Sequence, residues 1–375
     1  MSNQIMYFSR FRPTYEMGGG ARRMTQLYEM LFSILPEMQL ISTQRNDRIP
    51  KEIKKKIKKL SNREDFFAPT RWSLGIRKWS RDHIDMTYRL LKYSKIWLKS
   101  ISELPQLDLA IMDEPIYFLP LFNKLIKLNI PVIGISQNIE TLASGQVKEK
   151  WLLDMLMTEL KILKQCQLVI TISREEDILL SNLGIHSLYI PYFPIESIYK
   201  RLIAIRERRK HCEKDGVLMV GSSRNLPTRY GMQNAASFWE KNRMDKYYGK
   251  LIIGGYKSET FFDPSPYPLS TDFRGTFPNE VLDELLTRIK VFLCYQKTGA
   301  GGLTRINEML IAGVPVLANT HAARSYYNLK GLTEFREFDD LEKILNNPHI
   351  FDNEIPLPQQ PSSGHLEREI NRILK

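Results

Sequence analysis

The chain of 375 residues has only three cysteines, Cys166, Cys212 and Cys294, far apart and without CxxC or His-paired spacing. That excludes a disulfide framework and a clustered zinc site, and it fits a reducing compartment. No run reaches the roughly 20 apolar residues that cross a bilayer. A signal-peptide layout is also missing, because Arg10 and Arg12 follow a very short apolar patch instead of preceding a long one. A cytoplasmic protein is therefore expected. The histidines (His83, His186, His211, His321, His349, His365) show no HxxxH spacing, and no DxD pair occurs. We expect no obligatory divalent metal and no bound cofactor. Gly and Pro are not in excess, which removes collagen-like and low-complexity classes.

Acidic charge is scarce in one window. Residues 51–100 carry 15 Lys and Arg against 5 Asp and Glu, nearly all of the chain's formal net charge of +12. The run KEIKKKIKKL (Lys51 to Leu60) opens the window, and Trp72, Trp79 and Trp97 interleave with basic residues further on. Such a surface suits anionic lipid head groups, each Lys or Arg contributing up to ~1 kcal/mol. A solvated helix face is the plainer reading. Nucleic acid is not expected, since no recognised binding motif accompanies the patch.

What the chain does have is strand–helix alternation. Expected strands are Ile5–Ser9, Met38–Ser42, Leu107–Met112, Pro131–Ser136, Leu168–Ile172 and Leu188–Ile190, then Val217–Val220, Lys250–Ile253, Val291–Tyr295 and Val314–Ala318. Between the first two, Met24, Leu27, Tyr28 and Leu31 fall at helical spacing. This pattern predicts an α/β protein of two doubly wound Rossmann-like domains facing a cleft. The expected boundaries are residues 1–195, a charged linker over 196–215, a second domain over 216–360 and a C-terminal helix over 361–375. Ligands of such sheets bind at the carboxyl ends of strands, so the loops there are where chemistry is sought.

Two of those loops are glycine-rich. GGGARR (Gly18 to Arg23) precedes the first helix, and Gly19 and Gly20 let backbone approach an anionic ligand at the helix N-terminus. The spacing is not GxGxxG, which argues against a dinucleotide fingerprint and an NAD-dependent enzyme. The second loop, in YQKTGAGGLTRINEMLIAGVPV (Tyr295 to Val316), runs from strand to glycine loop to helix to strand. Its Gly299, Gly301 and Gly302 free several N–H groups to face a diphosphate. Thr304 and Glu308 share one helical face. A carboxylate there suits the two hydroxyls of a ribose, while Arg305 or Lys297 neutralises phosphate.

With these residues in view the chain resembles the nucleotide-sugar-dependent glycosyltransferases of the two-Rossmann-domain type (GT-B), in pattern those of family 4, also called group 1. The blocks carrying the resemblance are LVITISREEDILLSNLGI (Leu168 to Ile185), YIPYFP (Tyr189 to Pro194), MVGSSRNLPTRYGMQN (Met219 to Asn234), FRGTFPNEVLDELL (Phe273 to Leu286) and GAGGLTRINEMLIAGVPVLAN (Gly299 to Asn319). The resemblance implies that Glu308 holds the nucleotide ribose and that Gly301, Gly302, Leu303 and Thr304 contact the donor diphosphate. It places a phosphate-binding cation at Arg224 or Arg229, and base recognition at the backbone of Arg274 to Phe277.

One position departs from the pattern. Ala300 stands where the family has its first motif glutamate, which in retaining members meets the transferred sugar. Retention of stereochemistry is therefore open. So are two alternatives: a catalytically degenerate transferase-like partner protein, and a nucleotide-sugar epimerase.

The acceptor side has to supply a general base. Asp113 follows the Leu107–Met112 strand and Glu140 lies in SQNIETLASG (Ser136 to Gly145), where Gln137 stands at a position often occupied by His in related enzymes. The implied partners are a nucleotide diphosphate sugar and a glycan or lipid-linked acceptor of cell-surface polysaccharide assembly. The enzyme would sit on the inner face of the membrane, held through residues 51–100.

Overall fold

The computed structural model describes residues 4–9, 13, 18–42, 107–143, 149–223, 225–260, 270–347 and 354–375. The basic segment 51–100 and Arg224 lie outside them. Two compact units are formed, Met1–Pro191 with Ser362–Lys375, and Tyr192–Pro361.

The first unit contains one parallel sheet of β1 (Ile5–Ser9), β2 (Gln39–Ser42), β3 (Leu109–Asp113), β4 (Val132–Ser136), β5 (Leu168–Thr171) and β6 (Ser187–Tyr189), in the order β2-β1-β3-β4-β5-β6. Its inner strands are apolar on both faces because helices cover both. Along β1, Ile5 and Tyr7 join one core layer with Met24, Leu27 and Leu31 of the helix Gly19–Ile34, while Met6 and Phe8 join the other with Phe118 and Phe122. The C-terminal helix Gly364–Ile373 also belongs here. Its Leu366 and Ile370 are buried among Ile5, Tyr7 and Leu31, which returns the chain end to the first core.

The second unit repeats the plan with β7 (Val217–Val220), β8 (Leu251–Gly254), β9 (Thr271–Gly275), β10 (Val291–Cys294), β11 (Val316–Asn319) and β12 (Leu332–Phe335), all parallel, in the order β12-β11-β10-β7-β8-β9. Counted from its own first strand this is the 3-2-1-4-5-6 order of dinucleotide folds, and the order reverses between β7 and β10. The two strands absent from the sequence reading, β9 and β12, are the two edges. Their sequences TDFRG and LTEF are polar and only partly buried, so neither gives the apolar run that marks an inner strand.

The stretch read as a linker, 196–215, is mostly the helix Glu196–Arg209, and it is part of the second unit. Leu202 and Ile205 enter the core, and the arginines are held on carbonyls instead of facing water. Arg206 Nε donates to Ile311 O at 2.8 Å, and Arg209 donates to Gly313 O at 3.1 Å and Ile289 O at 2.9 Å. Those acceptors close the C-terminal ends of the helices Thr304–Ile311 and Asn279–Arg288, which an α-helix leaves unsatisfied.

Among the described residues no helix is long and apolar enough to cross a membrane. The Cys166 and Cys294 thiols are buried and pushed up to about 12, which makes them inert core residues.

Candidate active site

In the second unit the loops leaving β7 and β10 flank the point where strand order reverses. Each leads straight into a helix. After β7, Asn225 caps the helix Leu226–Lys241, its Oδ1 accepting from Thr228 N at 3.0 Å. After β10, Leu303 precedes the helix Thr304–Ile311 without any side-chain cap, and no acid occupies the first turn. The positive end of that helix is thus left for another anion. The two loops are tied together, Gln296 Nε2 donating to Thr228 Oγ1 at 3.3 Å.

Two glycines of the second loop need their freedom. Gly299 has φ +130° and Gly301 φ +68°, values that side chains rarely adopt. Gln296 and Asn319 lock the base of the loop through reciprocal bonds, Gln296 N to Asn319 Oδ1 at 2.9 Å and Asn319 Nδ2 to Gln296 O at 2.8 Å. Tyr326 Oη donates to Leu303 O at 2.8 Å and closes the far end. Arg324 spans the middle, Nε donating to Gly301 O at 2.7 Å and Nη2 to Ala300 O at 2.8 Å. His321 Nε2 lies 3.2 Å from Gly299 O, and burial followed by the Arg324 charge holds its imidazole below the usual range. His321 is therefore neutral near pH 7.

Glu308 sits one turn into the helix, 4% exposed, and its Oε1 accepts from Tyr192 Oη at 2.7 Å. Asn307 Nδ2 in turn donates to the Tyr192 carbonyl, so two adjacent helix residues hold this tyrosine by both ends. Thr304 is buried at the start of the same helix, Arg305 is half-buried and Lys297 exposed. Arg229 lies on the neighbouring helix with its guanidinium 5.4 Å from the Tyr230 ring centre. The segment expected to read a base has backbone groups with partners, Gly275 O accepting from Gly255 N at 2.8 Å and Thr276 N donating to Glu259 at 2.9 Å.

The first unit gathers polar side chains at the carboxyl ends of β1, β3 and β4. Asp113, fully buried, accepts from Ser9 Oγ at 3.2 Å and from Gln137 Nε2 at 3.0 Å. Gly19 and Gly20 open the helix beside them, and a Cβ at 20 would stand 2.5 Å from Gln137 Oε1, so glycine leaves room for that amide. Glu140 accepts from Tyr117 Oη at 2.7 Å and from Asn138 Nδ2 at 2.6 Å. Its own segment is anchored by buried acids, Ile139 N donating to Glu176 at 3.1 Å and the amides of Glu140 and Thr141 to Glu159 at 2.8 and 2.9 Å. Burial raises the Glu159 carboxyl above its ordinary value. Both acids expected to act as base are thus braced by hydrogen-bond donors.

The sequence reading gave no role to Tyr192, Asn307, Gln296, Asn319, Arg324 or Glu159. Tyr192 was in view within YIPYFP, yet nothing in that string announces a partner at 308. Among the described residues no three His, Cys, Asp or Glu side chains gather as metal ligands.

No protein-family model matches this sequence, and no curated protein is similar to it in sequence. Solved structures are similar in fold over the whole chain. Sucrose-phosphate synthase from Thermosynechococcus elongatus is 15% identical with a TM-score of 0.61, covering 100% of this chain and 95% of that one. TarM is 11% identical with a TM-score of 0.62, covering 100% and 99%. HepE from Anabaena, in complex with UDP and glucose, is 12% identical with a TM-score of 0.61, covering 99% of each chain. The fold is that of the GT-B glycosyltransferases, with two Rossmann-like domains.

Proposed function

We propose that this chain is a glycosyltransferase that binds a nucleotide diphosphate sugar on its second unit and transfers the sugar to a hydroxyl acceptor. The observation that carries the reading is Glu308, buried, oriented by Tyr192 and set one turn behind a glycine loop with positive φ at Gly299 and Gly301, at the switch point of the sheet. A ribose presents two adjacent hydroxyls that a fixed carboxylate accepts, and a diphosphate suits the uncapped helix start in front of it. The complex of HepE with UDP and glucose is consistent with such a ligand. Thr304, Gly301, Gly302 and Leu303 would line the diphosphate, with Arg229, Arg305, Lys297 and Arg224 as the cations near it.

In the reaction the acceptor oxygen bonds to the anomeric carbon, the bond from that carbon to phosphate breaks, and the diphosphate leaves with the electron pair. The acceptor proton passes to a base on the first unit. We assign that role to Glu140, which retains 9% exposure, and give Asp113, with none, the holding of Gln137. No obligatory divalent metal is proposed, so activity should survive chelation. The acceptor we infer is a lipid-linked oligosaccharide of cell-surface polysaccharide assembly, met at the cytoplasmic membrane face. The 15 Lys and Arg against 5 acids in residues 51–100 support this. Flotation with anionic vesicles tests it, absence of binding at moderate salt overturning the membrane part alone.

Ala300 favours a second reading, a protein that binds the donor without turning it over. A panel of UDP, GDP and ADP sugars, assayed for binding and for hydrolysis or transfer, separates the two. Binding without turnover selects the degenerate protein, and no binding at all sinks both.

A further inference from the structure

The carbonyls of the glycine loop after β10 converge on one pair of side chains. Three consecutive carbonyls, those of Gly299, Ala300 and Gly301, are engaged by the pair His321 and Arg324, at 3.2, 2.8 and 2.7 Å. The guanidinium is itself steadied by donating to Gln296 Oε1 at 3.1 Å and to His321 O at 2.6 Å. A side chain at 299 would come within 3.2 Å of Arg324 Nη2, so the close seat of the guanidinium also depends on glycine there.

A trans peptide unit is planar, with its C=O and N–H pointing in opposite directions. Fixing the carbonyls of residues 299–301 therefore aims the N–H groups of Ala300, Gly301 and Gly302 away from the guanidinium. Left loose, a glycine loop would turn some of those carbonyls toward an anion and repel it. We propose that Arg324, assisted by His321, is a positioning residue for the donor diphosphate. It holds the carbonyls on one side so that successive amides face the anion, and its charge behind the loop favours diphosphate over an uncharged nucleoside. This inference rests on the donor reading given above.

The role is distinct from general support of the fold, because through the loop amides it bears only on the phosphates. Bare nucleosides lack them and share the remainder of the site. The experiment measures binding of UDP, GDP and ADP, each beside its parent nucleoside, to wild type, Arg324→Gln and Arg324→Lys, with a thermal melt of each. For whichever base wild type binds, Arg324→Gln should lose about tenfold or more in diphosphate affinity, the order expected for losing charge-assisted bonds. Nucleoside affinity should stay within about twofold, since no bond to it is removed. Arg324→Lys keeps the charge but loses the fork, and should fall in between. Should Arg324→Gln melt below the assay temperature, Arg324→Lys carries the same comparison. Unchanged diphosphate affinity, or a parallel loss of diphosphate and nucleoside, overturns the inference while leaving the donor reading intact. Wild type that binds no nucleoside diphosphate overturns the donor reading, and the inference with it.

Discussion

Glu308 is buried, and its Oε1 accepts from the Tyr192 hydroxyl. A buried carboxylate is costly unless its oxygens are hydrogen-bonded, and each bond also fixes the direction of the others it can accept. Glu308→Ala should therefore weaken nucleoside diphosphate binding by roughly 1–3 kcal/mol, as loss of a charged acceptor does. Tyr192→Phe should weaken it by about 1 kcal/mol, near fivefold, because the carboxylate stays but is no longer held. Calorimetric titration of both variants checks the pair. An effect of Tyr192→Phe as large as that of Glu308→Ala would mean that the tyrosine touches the ligand itself. The candidacy of Glu308 is legible in the sequence, since an acid behind a glycine loop and before a strand has few packing reasons to be there. Its partner is not, because Tyr192 is 116 residues away and only the fold brings them together.

At the level of elements, inner strands could be read because β1, β3, β7 and β10 carry unbroken apolar runs, whereas β9 and β12 look like loops because an edge needs fewer apolar residues. The helix Glu196–Arg209 was hidden by its own charge. Read in one dimension RERR is a solvated run, yet Arg206 and Arg209 close the ends of two helices, one of which carries Glu308. Burial, and the neighbouring Arg206 after it, bring Arg209 down to about 10, still charged at neutral pH. Arg209→Met should cost about 2–4 kcal/mol of stability, since it orphans buried carbonyls, and chemical denaturation measures it.

The Glu140 segment gives a prediction with a sign. Burial raises the Glu159 carboxyl from 4.5, so the folded form holds its proton more tightly than the unfolded chain does. The contribution of this group is fully present below 4.5 and is lost as pH rises through the raised native value. Wild-type stability relative to Glu159→Gln should accordingly decline from acid toward neutral pH, and a difference that grows instead would contradict the burial argument.

For the molecule as a whole, the chain order and the two cores do not coincide. Residues 362–375 follow the second unit in sequence but pack into the first, through Leu366 and Ile370 beside Ile5, Tyr7 and Leu31. Both side chains are at most 1% exposed, and large-to-small changes at such sites cost about 2–5 kcal/mol each. Leu366→Ala and Ile370→Ala should therefore loosen the first unit selectively. Hydrogen exchange should quicken in β1 and in the helix Gly19–Ile34, while β7, β10 and β11 keep their protection. The same variants should bind a nucleoside diphosphate as wild type does, because every residue assigned to the donor lies between 192 and 324, within the second unit, apart from Gly19 and Gly20. If donor affinity fell in step with the loss of protection in β1, those two glycines would be part of the donor site in earnest. Unchanged affinity would confine the donor to the second unit and leave Gly20 with the task its geometry gives it, making room for Gln137.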